Sequence, residues 1–326
     1  MSRSHRPRVL VTREIPDEGL QLLQKHCDVS VGARNRGMDR DELLSRAPDY
    51  DGILSMLTDA MDAPLMERCP SLKVISNYAV GVDNVDLKEA QRRGIAVTHT
   101  PDVLTDATAD LAWALLMDIA RRVTEGDRLN RAGGWKTWSP FFHLGREVTG
   151  ATLGIVGMGR IGQAVAKRAR GFDMRLLYHS RSPLPAEREQ EWGAERLPLE
   201  DLLQEADFVS LHAPYTPKTH HLIGKRELQL MKRDAYLINT SRGGLVDEGA
   251  LVEALRSGEI AGAGLDVYER EPEMAEGLAQ LENVVLAPHL GSATRETRGR
   301  MARVAAENLV AELVGVGRSR RVRLKS

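Results

Sequence analysis

Short apolar runs alternate with amphipathic stretches along nearly the whole chain. In the first hundred residues Arg8–Thr12, Asp28–Val31, Gly52–Ser55, Lys73–Asn77 and Ala96–His99 read as strands. Between them Asp17–Lys25, Arg40–Arg46, Ala63–Arg68 and Leu87–Arg92 read as helices. The second half repeats the rhythm. Thr152–Val156, Arg175–Tyr178, Phe208–Leu211, Ala235–Asn239, Gly262–Leu265 and Val284–Ala287 read as strands. Helices fall near Arg160–Arg170, Leu199–Glu205, Lys225–Met231 and Glu248–Ser257. Strands separated by helices of this length pair in parallel, with helices covering both faces of the sheet. Two longer helical patterns, Thr105–Arg131 and Thr294–Val314, frame the second half. The first carries Leu111, Leu115, Ile119 and Val123 at helical spacing, a stripe that suits a subunit contact. Together the patterns predict an α/β chain of two doubly wound parallel-sheet domains. Residues 1–102 and 292–326 form one, and residues 103–291 the other, with crossings near Pro101 and Ser292.

Composition narrows the class. With 326 residues the chain has room for two domains of ordinary size. Hydrophobic residues at 42 % and charged residues at 28 % fit a soluble globular protein, and a net charge of −1 recruits neither nucleic acid nor membrane. Aromatics are only 4 %, so the cores must be aliphatic. Cys27 and Cys69 are too few for a disulfide framework and read as reduced packing residues of a cytoplasmic protein. Val9-Leu10-Val11 is too short for a signal sequence, and no apolar stretch approaches a membrane span. The basic tail from Arg318 to Ser326 reads as a solvated, partly disordered end.

One strand pattern runs directly into a glycine turn, Gly157-Met158-Gly159-Arg160-Ile161-Gly162, and an Ala-rich helix follows. In that context G-x-G-x-x-G is a pyrophosphate site. Gly157 permits the turn, Gly159 lets backbone approach the ligand, and Gly162 lets the helix pack against the sheet. The helix N-terminus offers unpaired N–H groups to the anion. The bland alternative is an ordinary strand-to-helix turn. The next strand ends in Ser180-Arg181-Ser182, and Asp173 precedes it, so no carboxylate stands where one would bond a ribose 2′-hydroxyl. Arg181 can pair with a 2′-phosphate, and both serines can donate to it. These residues predict NADP(H) as the preferred cofactor, with NAD(H) as the alternative.

Three further strand patterns end in polar residues. Thr240-Ser241-Arg242-Gly243-Gly244 follows one, Asp266 and Glu271-Pro272 follow another, and Pro288-His289-Leu290-Gly291 ends the third. The carboxyl edge of a parallel sheet is where such folds bind ligands, so an arginine, a carboxylate and a histidine can converge there. The set suits reduction of a carbonyl beside a carboxylate. A histidine can protonate the nascent alkoxide, a carboxylate orients and favours the imidazolium, and a guanidinium holds the planar acid. Taken singly, Arg242 reads as a loop arginine, Glu271 as a turn carboxylate and His289 as a hydrogen-bonded histidine; Asp266, since Asp often starts turns, has the weaker claim. His220-His221 carries little, because sequence neighbours face different ways, and no metal site is expected.

Val80-Gly81-Val82-Asp83-Asn84-Val85-Asp86, the Gly157–Gly162 turn, the Thr240–Gly244 loop, Gly264–Pro272 and Pro288–Thr294 occur in an order that resembles the D-2-hydroxyacid dehydrogenase family over residues 8–315. The resemblance implies a Rossmann nucleotide-binding domain, a flavodoxin-like substrate domain and homodimers. It implies that Arg242 binds the substrate carboxylate and carbonyl, that Glu271 pairs with His289, and that His289 is the acid–base. It further implies that Asp266, Thr240 and Ser241 line the cofactor, and that Val80 and Gly81 offer backbone N–H groups to the substrate. Glu271 disfavours formate dehydrogenase, which carries glutamine there. The stretch from Leu153 to Ser182 is most similar to reductases of glyoxylate and hydroxypyruvate. The expected reaction is NADPH-dependent reduction of a small 2-oxo acid in a cleft that closes to exclude water. Other substrates of the family (D-lactate, 3-phosphoglycerate, phosphite) or a dinucleotide-sensing scaffold are the alternatives. In related reductases the region of Trp135 and Trp138 reaches a neighbouring subunit's active site, so Trp138 is a candidate for the substrate pocket, with a core or subunit-contact tryptophan as the alternative.

Overall fold

Strands and helices alternate through the first hundred residues of the computed structural model, which describes residues 6–322. They are β1 (Arg8–Val11), α1 (Asp17–His26), β2 (Asp28–Val31), α2 (Arg40–Arg46), β3 (Gly52–Ser55), α3 (Ala63–Glu67), β4 (Val74–Asn77), α4 (Leu87–Arg93) and β5 (Ala96–Thr98). All pairings are parallel, in the order β2-β1-β3-β4-β5. The central strands β3 and β4 are buried along their length, as strands covered on both faces must be. Asp39, Asp62 and Asp86 cap α2, α3 and α4 by accepting from backbone N–H groups of the first turn, each worth about 1 kcal/mol. The helix Arg295–Val314 returns to this sheet, and Met1–Leu104 with Ala293–Ser326 make one compact unit. Gly19 on α1 permits its close approach, since a Cβ there would lie 2.6 Å from the Ala302 carbonyl oxygen.

As far as it is described, the basic tail is exposed, as expected, at Arg318, Arg320 and Arg321, yet its end is paired rather than loose. Arg321 bridges to Thr98 in antiparallel sense, Val322 N–H donates to the Val97 carbonyl at 2.8 Å, and Arg321 pairs with Glu312. The open edge of β5 and the Glu312 carboxylate supply partners that composition alone does not reveal. Residues 1–5 and 323–326 lie outside the described residues.

The second unit, Thr105–Ser292, comprises α5 (Thr105–Arg121), α6 (Val123–Arg131), β6 (Thr152–Val156), α7 (Arg160–Ala169), β7 (Arg175–His179), α8 (Ala186–Trp192), β8 (Ala194–Arg196), α9 (Leu199–Glu205), β9 (Phe208–Leu211), α10 (Lys225–Leu230), β10 (Tyr236–Asn239), α11 (Glu248–Ser257), β11 (Gly262–Leu265) and β12 (Val284–Leu286). Its parallel sheet runs β12-β11-β10-β9-β6-β7-β8. Strand order reverses between β6 and β9, so a crevice opens at their carboxyl ends. Both sheets are therefore doubly wound, and the second has the Rossmann order.

The long pattern Thr105–Arg131 is not one helix. Arg122 takes φ 55°, and Asp118 accepts from Thr124 N–H at 2.7 Å, ending α5 and starting α6. Only part of its apolar stripe is left for a subunit contact. Leu115 and Ile119 are buried within this unit, against β11 at Gly264 and Gly262. Val123 of the stripe is exposed, and further exposed apolar groups follow at Trp135, Trp138, Phe141, Phe142 and Leu144. No described helix is long and apolar enough to cross a membrane.

Candidate active site

The glycine turn joins β6 to α7 at the reversal of strand order. Gly157 has φ 101°, and a Cβ there would lie 2.4 Å from Ala213 N. At Gly162 a Cβ would lie 2.2 Å from the Gly157 carbonyl oxygen, so only glycine lets α7 sit this close. At Gly159 a Cβ would meet nothing within 4 Å, which leaves room for an approaching ligand. Gly159 is the N-cap of α7 and offers no capping side chain, so the positive end of the helix faces the turn uncapped by Gly159. Met158 is buried beneath the turn. Nearby, Thr240 is 7 % exposed and its Oγ1 has no protein partner. An open space over Gly159 and an unpartnered buried hydroxyl fit a bound dinucleotide.

Ser180, Arg181 and Ser182 lie just past β7. Ser180 is half-buried and the other two are exposed. Arg196 on β8 donates to the Ser180 carbonyl at 2.9 Å and to the Arg181 carbonyl at 3.3 Å, which fixes the backbone of this tip. The tip therefore bears guanidinium and hydroxyl groups and no carboxylate.

The catalytic candidates stand at the carboxyl ends of β10, β11 and β12. Asn239 shapes the Arg242 loop from both sides, donating to the Arg242 carbonyl at 2.9 Å and accepting from Ser241 N–H at 3.1 Å. Ser241 Oγ donates to the Ala213 carbonyl at 2.6 Å. Gly243 holds this loop against the next: a Cβ would lie 1.8 Å from the Tyr268 carbonyl carbon. Glu271 accepts from Tyr268 N–H at 3.1 Å through Oε1, and its Oε2 lies 2.7 Å from His289 Nδ1. Burial opposes ionisation of Glu271. The hydrogen bonds from His289 and Tyr268 and the charges of His289 and Arg242 outweigh it and hold the carboxyl below its usual range. The structure thus brings Arg242, Glu271 and His289 into electrostatic contact.

Asp266 has a structural task that spacing did not reveal. It is 1 % exposed, and its two carboxylate oxygens accept from Leu290 and Gly291 N–H. Its own carbonyl accepts from His289 N–H at 3.0 Å. These bonds hold the turn in which His289 adopts φ 54°. Thr108 Oγ1 secures the same turn by donating to the Gly291 carbonyl at 3.1 Å. Burial raises the Asp266 pKa, with the Leu290 hydrogen bond and His289 opposing.

His212, at the end of β9 beside Gly157, escaped sequence reading. Burial pushes its pKa down to about 4, and its Nε2 lies 2.8 Å from Ser210 Oγ. It is a neutral imidazole at the edge that carries the glycine turn. Only its position after an apolar strand could have flagged it. In the first unit, Val80 and Gly81 follow β4. Asn77 Nδ2 donates to the Gly81 carbonyl and His99 Nδ1 to the Val80 carbonyl, both at 2.9 Å.

A Rossmann unit whose sheet edge carries an arginine and a carboxylate–histidine couple fits a nicotinamide-dependent oxidoreductase. Residues 113–291 match the model of the D-isomer specific 2-hydroxyacid dehydrogenase NAD binding domain, and the chain belongs to that family. It is 52 % identical to the glyoxylate reductase of Thermococcus litoralis over 310 residues, 94 % of this chain and 93 % of that one. Among solved structures, a protein of Thermus thermophilus superposes with a TM-score of 0.91 at 52 % identity, covering 97 % of this chain and 100 % of its own. The NADPH-dependent glyoxylate/hydroxypyruvate reductase of Sinorhizobium meliloti, solved with NADP and malonate, has a TM-score of 0.83 at 35 % identity and 97 % coverage of both chains.

Proposed function

We propose that this chain reduces glyoxylate or hydroxypyruvate to the corresponding 2-hydroxy acid, with NADPH preferred over NADH. The observation that carries the chemistry is the 2.7 Å contact between His289 Nδ1 and Glu271 Oε2, within reach of the Arg242 charge. The bound nicotinamide supplies the hydride. Arg242 holds the substrate carboxylate and polarises the adjoining carbonyl. His289, with Glu271 on Nδ1, presents Nε2 and donates the proton that the carbonyl oxygen needs as it becomes an alkoxide. Val80 and Gly81 contribute backbone N–H groups to the same carboxylate, their carbonyls being already engaged. Asp266, besides shaping the His289 turn, contacts the nicotinamide side in this reading, and Thr240 and Ser241 line the cofactor.

NADPH preference rests on the tip of β7. Ser180, Arg181 and Ser182 suit a 2′-phosphate, and Arg196 holds their backbone in place. The glyoxylate reductase names of relatives about half identical to this chain support the substrate class. A homodimer is the working form in this reading, joined through the exposed apolar side chains between Val123 and Leu144. The free, buried Cys27 and Cys69 suit a cytoplasmic setting. Steady-state assays of a panel of 2-oxo acids with both reduced cofactors test the proposal. Highest kcat/KM is expected for glyoxylate or hydroxypyruvate with NADPH. A clear preference for NADH would overturn the cofactor assignment, and a bulky 2-oxo acid as best substrate would overturn the substrate assignment.

A further inference from the structure

Beside the loops that carry Arg242 and Glu271, three further side chains of the second unit gather at its surface. One ring nitrogen each of His220 and His221 and one carboxylate oxygen of Glu269 all lie within 4.8 Å of one another. Adjacent residues ordinarily direct their side chains apart. Here His221 takes φ 50°, which swings its ring back beside that of His220. The two rings stack with centroids 3.9 Å apart and planes 28° from parallel. The ground on which the sequence argued against this pair as ligands therefore does not hold in the fold. Glu269, on the loop after β11, brings its Oε1 into contact with His221 Nε2.

We propose that His220, His221 and Glu269 bind a divalent transition-metal ion of the zinc class. Two imidazoles and a carboxylate are a donor set that zinc accepts, and a fourth position would be left to water. His220 has a hydrogen-bonding group behind it, as ligating histidines do, and a carboxylate stands at ion-pair distance behind His221. Tyr215 Oη lies 3.2 Å from His220 Nδ1, and Asp247 Oδ2 lies 3.9 Å from His221 Nδ1. A hard cation such as Mg²⁺ would find only one carboxylate here and is not expected to compete. A simple ion pair would need His221 and Glu269 alone. His220 is the member that such a pair does not use, and it therefore discriminates.

The experiment is zinc titration by calorimetry of the full chain, free of any polyhistidine tag, with thermal unfolding alongside. Wild type is expected to bind one Zn²⁺ per chain saturably, to rise in Tm with Zn²⁺, and to ignore Mg²⁺. His220→Ala is expected to keep its zinc-free Tm and its turnover, yet to lose at least about tenfold in zinc affinity, since even an outer-shell change is felt on that scale. Glu269→Gln is expected to weaken zinc similarly. Absence of saturable zinc binding in the wild type, or His220→Ala binding as tightly as wild type, would overturn the proposal.

Discussion

Glu271 is a carboxylate whose ionisation is set by its neighbours. Burial works against the charge, while His289, Tyr268 N–H and Arg242 favour it and prevail. Its pKa therefore falls from the unfolded value of about 4.3. A group depressed in this way contributes stability that is complete above the unfolded pKa and is lost as pH falls through the folded one. Glu271→Gln should accordingly unfold at lower temperature than wild type at neutral pH. The gap in Tm should narrow as pH is taken below the carboxylate range, and a constant gap would show that the charge is not what the fold uses. The convergence of Arg242, Glu271 and His289 was legible because each follows an apolar run that could only be a strand, and the polar residues past such strands share one edge. What Asp266 does was not legible. It depends on two backbone N–H groups of Leu290 and Gly291 that no spacing places beside it. The convergence of His220 and His221 was hidden for a similar reason, since it turns on a single backbone dihedral.

At the scale of elements, the glycine turn separates shape from binding. Gly162 is needed so that α7 can approach β6, whereas Gly159 faces open space. Gly162→Ala should therefore lower Tm and weaken cofactor binding together. Gly159→Ala should keep the wild-type Tm and still weaken cofactor binding, because its Cβ would enter the open space proposed for the cofactor. Thermal unfolding and fluorescence titration with NADPH check the pair, and equal loss of Tm in both variants would contradict this division. Central strands were readable as continuous apolar runs. The edge strand β8 was not, since two of the three residues in Ala194–Arg196 are exposed and the segment shows no apolar pattern. The break between α5 and α6 was also invisible, because Arg122 is a residue that helices ordinarily accept.

At the scale of the whole molecule, the two thiols, both in the first unit, report on the integrity of that unit. Burial raises the pKa of Cys27 and pushes that of Cys69 up to about 11. Neither thiolate is then populated near pH 8, so a thiol reagent should label neither cysteine in the native state and both after unfolding. Rapid native labelling would place these residues outside the core. The chain is otherwise organised so that stable sheets carry reactive loops. The Arg242, Glu271 and His289 loops are braced on one another through Gly243, Tyr268 and Asp266 rather than left to solvent.

Everything proposed for catalysis depends on His289 as the proton donor supported by Glu271. Its most direct test is the turnover of His289→Ala with glyoxylate and NADPH, measured beside cofactor affinity. A fall in kcat of about 10²–10⁴ with NADPH binding unchanged is predicted, the range for loss of a general acid. Turnover close to wild type in a variant that still binds NADPH would remove His289 from the chemistry.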